Sequence, residues 1–168
     1  MLRNDLLTQR KQQSGAALIE SLVAILIISF GILAVVGMQA NAVQATTDTR
    51  FRAEAIYQID KIIGQMLLNV DRSSAASMQT SLNGFLHNTA NNDEDACLFD
   101  GAAASNTIVS SWIDSLTASG GLPGTTSDHI QIRQDTSASA GNRMIITIRW
   151  QAPWESSCRQ QSTVAYIN

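Results

Sequence analysis

The chain has 168 residues, a formal net charge of −3 and only 15% charged residues, whereas a typical soluble domain has about 25%. That length allows one modest domain together with a long apolar segment. Only one lysine, Lys61, follows the first fifteen residues, and no cluster of basic side chains occurs. Because proteins that bind nucleic acid need grouped Lys and Arg to neutralise phosphates, the composition disfavours that class.

A basic leader precedes an unbroken apolar segment. Residues 1–15 contain Arg3, Arg10 and Lys11, and residues 16–38 contain a single charge, Glu20. As a helix, residues 16–38 span about 35 Å, which is enough to cross a hydrocarbon core of about 30 Å. Since the nearby basic residues lie only on the N-terminal side, the leader is predicted to be cytoplasmic and the C-terminal bulk to lie outside the inner membrane.

The junction of leader and apolar segment reads Ser14-Gly15-Ala16-Ala17-Leu18-Ile19-Glu20. This run resembles the prepilin signature of type IV pilins and type II secretion pseudopilins. The resemblance implies that prepilin peptidase cleaves after Gly15, and that Ala16 becomes the first mature residue and a candidate for N-methylation. It also implies that Glu20 serves filament assembly. Many pilins have phenylalanine where this chain has Ala16, so N-methylation is the less supported of these expectations.

The acid itself has a physical rationale. A carboxylate inside an apolar segment is costly, and Glu20 paired with the α-ammonium of Ala16 would compensate two charges in a low-dielectric filament core. Two other interpretations stay open: Glu20 as an interfacial acid of a simple membrane anchor, and cleavage by signal peptidase at the small-residue pattern Ala40–Ala42.

Residues 39–70 extend the apolar segment with a different pattern. They contain no proline, and their apolar residues recur mostly at spacings of three and four, which is typical of an amphipathic helix with one buried face. We therefore predict one continuous helix from about Ala16 to Leu68. The apolar residues of its second half are Phe51, Ala55, Ile59, Ile62, Ile63, Met66, Leu67 and Val70.

Residues 71–168 are predicted to form an α+β head. A short helical turn is expected around Met78–Leu86, and a second helix over Ser105–Thr117. Three β-rich runs follow, with a hairpin loop over 136–142 between the first two, and they predict a small antiparallel sheet laid across the long helix. These runs are Ile130–Arg133, Arg143–Trp150 and Ser162–Ile167.

The two cysteines, Cys97 and Cys158, are far apart and form no Cys-x-x-Cys motif. Metal or thioredoxin-like chemistry therefore has little support. Because the apolar segment implies export to an oxidising compartment, we expect one disulfide between them. The alternative is two buried free thiols.

No motif points to catalysis, a cofactor or a metal. His87 and His129 each lack a partner at metal-ligand spacing and are interpreted as lone surface histidines. Asn91–Asp95 offers oxygen ligands, but it lacks the alternating spacing of a dedicated calcium loop and is interpreted as a solvated loop. Familiar catalytic signatures are absent from the sequence, so we expect a protein that is not an enzyme.

The head adds to the resemblance. Leu18–Gln39, a tryptophan-bearing helix, the Leu122–Gly124 turn and a strand ending in Trp150 look like the PilV-like minor pilins and the related I-type pseudopilins. The resemblance implies a type IV pilin-like fold, with a cleaved leader (1–15), a transmembrane and filament-core helix (16–38), its amphipathic continuation (39–70) and a periplasmic head (71–168).

The function implied is that of a minor pilin in type IV pilus assembly, with roles in adhesion or twitching motility. Its expected partners are major and minor pilins through the N-terminal helix, prepilin peptidase, inner-membrane lipid and a tip adhesin. It would reside in the inner membrane and then in the pilus. The alternative is a minor pseudopilin of a type II secretion system. Two further classes are a membrane-tethered periplasmic binding module that never polymerises and, last, an enzyme with an inserted anchor.

Overall fold

A computed structural model describes residues 13–90, 97–118, 120–135 and 142–168. These residues form a long N-terminal helix, two short helices and a three-stranded antiparallel sheet. This confirms the predicted α+β class and the pilin-like layout of a long apolar helix followed by a small C-terminal sheet. The chain divides into two compact units, residues 1–47 and residues 48–168, and the second is called the C-terminal unit below.

Helix α1 runs without interruption from Gln13 to Asn69. No proline interrupts the segment, so every backbone N–H can continue the helical hydrogen-bond pattern. The helix ends where the chain becomes rich in serine and aspartate, whose side chains compete for backbone hydrogen bonds. Asp71 is one of them, since its carboxylate accepts the N–H of Ser73 at 2.8 Å.

The C-terminal part of α1 supplies one wall of the core. Ala55, Ile59, Ile62 and Met66 are fully buried, in agreement with the predicted amphipathic face. The prediction that Leu67 lies on that face is wrong, because this residue is 43% exposed. Its position is only one residue beyond Met66, which rotates it about 100° away from the buried stripe.

Two short helices follow, each with an N-cap. Helix α2 is Ala75–Gly84, and the side chain of Ser74 accepts the N–H of Ser77 at 3.0 Å. Helix α3 is Thr107–Thr117, and Asn106 accepts the N–H of Ile108 at 2.9 Å. Serine and asparagine are preferred at this position because their oxygens satisfy otherwise free N–H groups.

The sheet has the order β1-β2-β3, with both neighbouring pairs antiparallel. The strands are β1 (Ile130–Gln134), β2 (Arg143–Trp150) and β3 (Arg159–Tyr166). Six residues at alternating positions of β1 and β2 are fully buried and form the core face of the sheet: Ile130, Ile132, Met144, Ile146, Ile148 and Trp150. The predicted loop over 136–142 lies, except for Asn142, outside the described residues.

Strand β3 differs from its prediction at both ends. It begins at Arg159, three residues before the predicted Ser162, and it ends at Tyr166 instead of Ile167. The early residues Arg159–Gln161 are polar and lack a strand signature. They are drawn into the sheet because each pairs with a residue of β2, starting with Arg159 opposite Trp150. Pairing with a neighbouring strand outweighs weak local propensity.

Candidate assembly segment and polar sites of the C-terminal unit

The N-terminal half of α1 exposes almost all of its apolar side chains. Leu18 is 67% exposed, Ile28 60% and Phe30 64%, and the neighbouring large apolar residues as far as Val43 behave alike. A helix that is apolar on all sides is stable only when lipid or other apolar helices surround it. This helix is long and apolar enough to cross a membrane, since its most apolar window has a mean hydropathy of 2.7. It is therefore compatible with a single-pass membrane anchor.

The two serine side chains of the apolar segment are bonded within the helix. The Ser21 hydroxyl donates to the Ala17 carbonyl at 2.8 Å, and the Ser29 hydroxyl donates to the Ile25 carbonyl at 2.7 Å. Each hydroxyl therefore satisfies its donor four residues back and presents little unpaired polarity to an apolar environment.

The predicted cleavage and assembly residues all lie on exposed helix. Gly15 and Ala16 are in the first turns of α1, and Glu20 follows one turn later. Residues four apart face the same side of a helix, so Glu20 and Ala16 share a face. No atom outside the local backbone lies within 4 Å of a Cβ built on Gly15. A larger residue at this position is therefore compatible with the fold.

Cys97 and Cys158 form a disulfide, as predicted, with their Cα atoms 5.7 Å apart. The bond ties the segment after α2 to the residue that immediately precedes β3. It closes a loop of 61 residues that contains α3, β1 and β2.

His87 corrects an expectation, because it is 2% exposed and not a surface residue. Its backbone exchanges two hydrogen bonds of 2.9 Å with Ile132 of β1, which brings the residue under the sheet edge. The ring Nδ1 accepts the N–H of Ala104 at 3.1 Å. Sequence reasoning missed this burial, since a lone histidine in a polar stretch carries no local signal of a strand-edge contact.

The His87 ring also lies 3.2 Å from the Ser127 hydroxyl, which raises the question of a Ser–His nucleophile pair. In such a pair, the histidine Nδ1–H is held by an acceptor, and Nε2 accepts the serine proton. Here Nδ1 is itself the acceptor, so Nε2 carries the proton and donates toward Ser127. The arrangement stabilises a loop and does not activate the serine.

A cavity of about 420 Å³ opens beside this histidine, between α3 and the 3-10 turn Ser127–His129. Two of its hydroxyls already donate to backbone carbonyls: Thr125 to Arg149 at 3.1 Å, and Thr117 to Ile113 at 3.1 Å. Their oxygens are therefore left as acceptors. The lining of the cavity is mostly apolar, and its polar groups include these two hydroxyl oxygens and one carboxylate, Asp114.

His129 is half-buried, in partial agreement with its predicted surface position. Its Nδ1 accepts the backbone N–H of Thr126 at 3.2 Å, an interaction that requires an unprotonated nitrogen. Burial lowers the pKa of His129, and the charge of Arg149 lowers it further, against the opposing effect of Asp128.

The lowered pKa of His129 predicts acid sensitivity. Below about pH 6.5 the unfolded chain binds a proton at His129 more readily than the folded chain does, so the histidine opposes folding as the pH falls. We expect the unfolding midpoint of the wild-type protein to decrease between pH 7.5 and 5.5, and to decrease less in His129→Gln. Denaturant titrations at several pH values measure this. Identical pH slopes for the two proteins would contradict it.

A charged cluster joins α1 to β3 within the C-terminal unit. The Arg159 guanidinium donates to Glu155 at 2.8 Å and lies 3.8 Å from Asp48. The hydrogen bond from Arg159 lowers the pKa of Glu155, and the two acids raise that of Arg159. Next to this cluster, the rings of Phe51 and Trp154 stack with centroids 6.4 Å apart.

Comparison of the chain with protein-family models, with curated proteins and with solved structures found no match. Among the described residues, no group of three His, Cys, Asp or Glu side chains is placed to hold a metal ion. The loop Asn91–Asp95, considered above for calcium, lies outside those residues.

Proposed function

We propose that this chain is a minor pilin of a type IV pilus, of the PilV-like kind, and that it acts through assembly and not through catalysis. The observation that carries the proposal is the position of Glu20. It is the only charge in residues 16–38, and it lies one helical turn beyond Ala16 on the same face of an exposed apolar helix.

Filament packing accounts for that position. Cleavage after Gly15 would free an α-ammonium at Ala16, and many such helices would bundle in a low-dielectric core. A carboxylate from one subunit would then pair with an ammonium from its neighbour or from its own chain. Loss of one partner from a buried ion pair costs about 3–5 kcal/mol, so a single acid can decide whether a subunit enters the filament in register.

The remainder of the proposal follows from the N-terminal half of α1. Before assembly the subunit resides in the inner membrane with residues 48–168 in the periplasm, and it then joins the pilus beside major and minor pilins. Prepilin peptidase is its processing enzyme, and Ala16 is the candidate site of N-methylation. A tip adhesin is the candidate partner for the C-terminal unit, which would link the chain to adhesion or twitching motility.

The test replaces the gene in its native host with three variants. Glu20→Gln removes the charge and keeps the shape, and Glu54→Gln makes the same change outside the apolar segment as a matched control. Gly15→Leu marks the unprocessed chain, which migrates with the added mass of residues 1–15. We expect Glu20→Gln to be processed normally. Its amount in sheared filaments should be at least about tenfold below that of the wild type, because a loss of about 1.4 kcal/mol already changes an equilibrium tenfold. Glu54→Gln should assemble like the wild type.

Two results would contradict the proposal. Wild-type mobility of Gly15→Leu would show that cleavage does not follow this glycine. Glu20→Gln at the wild-type level in filaments would show that entry into the filament does not depend on this acid. If Glu20→Gln leaves filaments normal and protein secretion fails instead, the chain is a minor pseudopilin of a type II secretion system, which has the same kind of N-terminal helix.

A further inference from the structure

Strand β3 is an edge of the sheet, and its backbone polarity can be assigned residue by residue. The N–H of Ile167 donates to the carbonyl of Asn142 at 3.1 Å, and the pairing with β2 then continues one residue opposite one residue through β3. Antiparallel pairs alternate between hydrogen-bonded and non-bonded. The odd-numbered residues of β3 therefore bond to β2, and the even-numbered ones direct their N–H and C=O away from the sheet. These are Gln160, Ser162, Val164 and Tyr166.

The opposite edge of the sheet is covered, whereas none of the described residues covers this one. On β1, Ile132 exchanges two backbone bonds with His87, and Ile130 accepts the side chain of Asn88 at 3.1 Å. On β3, within the parts of the chain that the structure describes, the outward backbone groups receive only a long 3.4 Å bond from Gln161 to the Ser162 carbonyl. All four outward residues are exposed.

The β3 edge also lacks the features that usually prevent strand pairing. Edge strands are normally protected by a proline, a bulge, a charge or a short length. Strand β3 has eight residues in unbroken register, with neither proline nor charge among residues 160–166. Two of its outward side chains are apolar or aromatic and well exposed, Val164 at 45% and Tyr166 at 62%.

We propose that the β3 edge pairs with β3 of a second copy of this chain, so that two sheets join into one of six strands. Antiparallel pairing centred on Thr163 places Gln160 opposite Tyr166 of the second copy and Ser162 opposite its Val164. All four outward residues then meet outward residues, and none is left without a partner. Shifting the centre to Ser162 or to Val164 removes one of these pairs from the strand.

The charges of β3 suit this register. Arg159 is the only charged side chain of the strand, and Glu155 and Asp48 of its own subunit balance it. In the register centred on Thr163 the two arginines lie at opposite ends of the ribbon, about 27 Å apart at the usual rise per residue. Like charges directly opposite each other on two strands are destabilising, and this register places none opposite each other. The pairing uses the C-terminal unit alone and does not depend on entry into a filament.

A single cysteine tests the register in the full-length chain, because the two native cysteines are bonded to each other. Thr163→Cys would face itself across the two-fold axis as a non-hydrogen-bonded pair, with Cα atoms about 4.5 Å apart. Gln161→Cys on the same face is the matched control, since its two copies would lie about 13 Å apart, beyond the reach of a disulfide. Mild oxidation in native membranes and non-reducing electrophoresis then measure the crosslink.

We expect Thr163→Cys to give a covalent species of twice the chain mass, at least about tenfold more than Gln161→Cys. Adding Ser162→Pro should abolish it, since this N–H points outward and its loss leaves the bonds to β2 intact. Tryptophan fluorescence verifies that each variant is folded. Equal crosslinking at both positions, no crosslink in folded Thr163→Cys, or a crosslink to a protein of different mass would each overturn the proposal.

Discussion

Replacement of Cys97 and Cys158 by serine is expected to lower the free energy of unfolding of the C-terminal unit by about 4 kcal/mol, since the disulfide closes a loop of 61 residues. The loop contains one helix and two strands, so the unfolded chain gains much freedom when the bond is lost. Small domains are stable by only about 5–15 kcal/mol, and we therefore expect a large shift in the denaturation midpoint.

All three tryptophans lie between residues 48 and 168, so their fluorescence during denaturant titration reports on the C-terminal unit. A reducing agent should shift the wild-type curve toward that of the double variant and leave the variant unchanged. If the loss is under about 1 kcal/mol, the bond contributes little, and the stability of the unit comes from its core.

Leu116→Ala is expected to cost about 2–5 kcal/mol, the range for truncating a fully buried leucine. Leu116 is 0% exposed, and it lies in α3 within the same core cluster as Ile59 and Trp112. The chain offers a matched control in Leu68→Ala, which makes the same chemical change at a residue that is 80% exposed. The control should change stability by no more than about 0.5 kcal/mol.

The same fluorescence titration measures both leucine variants. The difference between them isolates the effect of burial, because the side chains removed are identical. Equal losses would contradict the assignment of the core. A large loss for Leu68→Ala alone would show that this face of α1 is covered by another molecule.

Much of the fold was predictable because its signals are local. The proline-free apolar run predicted α1 to within a few residues of its observed bounds. The face of α1 that buries Ile59 and Met66 followed from the spacing of its apolar residues alone. Strand β2 was predicted over Arg143–Trp150 and is observed there. The β-branched side chains of β2 favour a strand, and its core-facing residues are all apolar. Local propensity and tertiary packing therefore favour the same structure.

The errors arose where long-range contacts override local pattern. The start of β3 at Arg159 depends on the neighbouring strand, and the burial of His87 depends on its backbone exchange with Ile132. No prediction concerned Gln58, a polar residue that is only 8% exposed, and its burial also depends on a long-range contact. Its backbone carbonyl accepts the indole N–H of Trp112 at 3.0 Å, a contact across more than fifty residues that no local spacing indicates.

For the candidate assembly segment, the helical position of each residue was predicted from the sequence. The role of these residues in assembly remains a prediction. Gly15, Ala16 and Glu20 lie within one helical turn or little more, so their shared face follows from helix geometry alone. A partner for Glu20 has to come from the processed terminus of this or another subunit, and the folded chain by itself supplies none near it among the described residues.

The sequence by itself determined the continuous helix, the placement of its single apolar-segment acid and the α+β class, since these follow from periodicity and composition along a contiguous stretch. Only the tertiary structure decided which histidine is buried and which sheet edge is covered. Those properties depend on residues far apart in the chain being brought into contact. For that reason the proposed assembly segment was visible in the sequence, whereas the open edge of β3 required the folded structure.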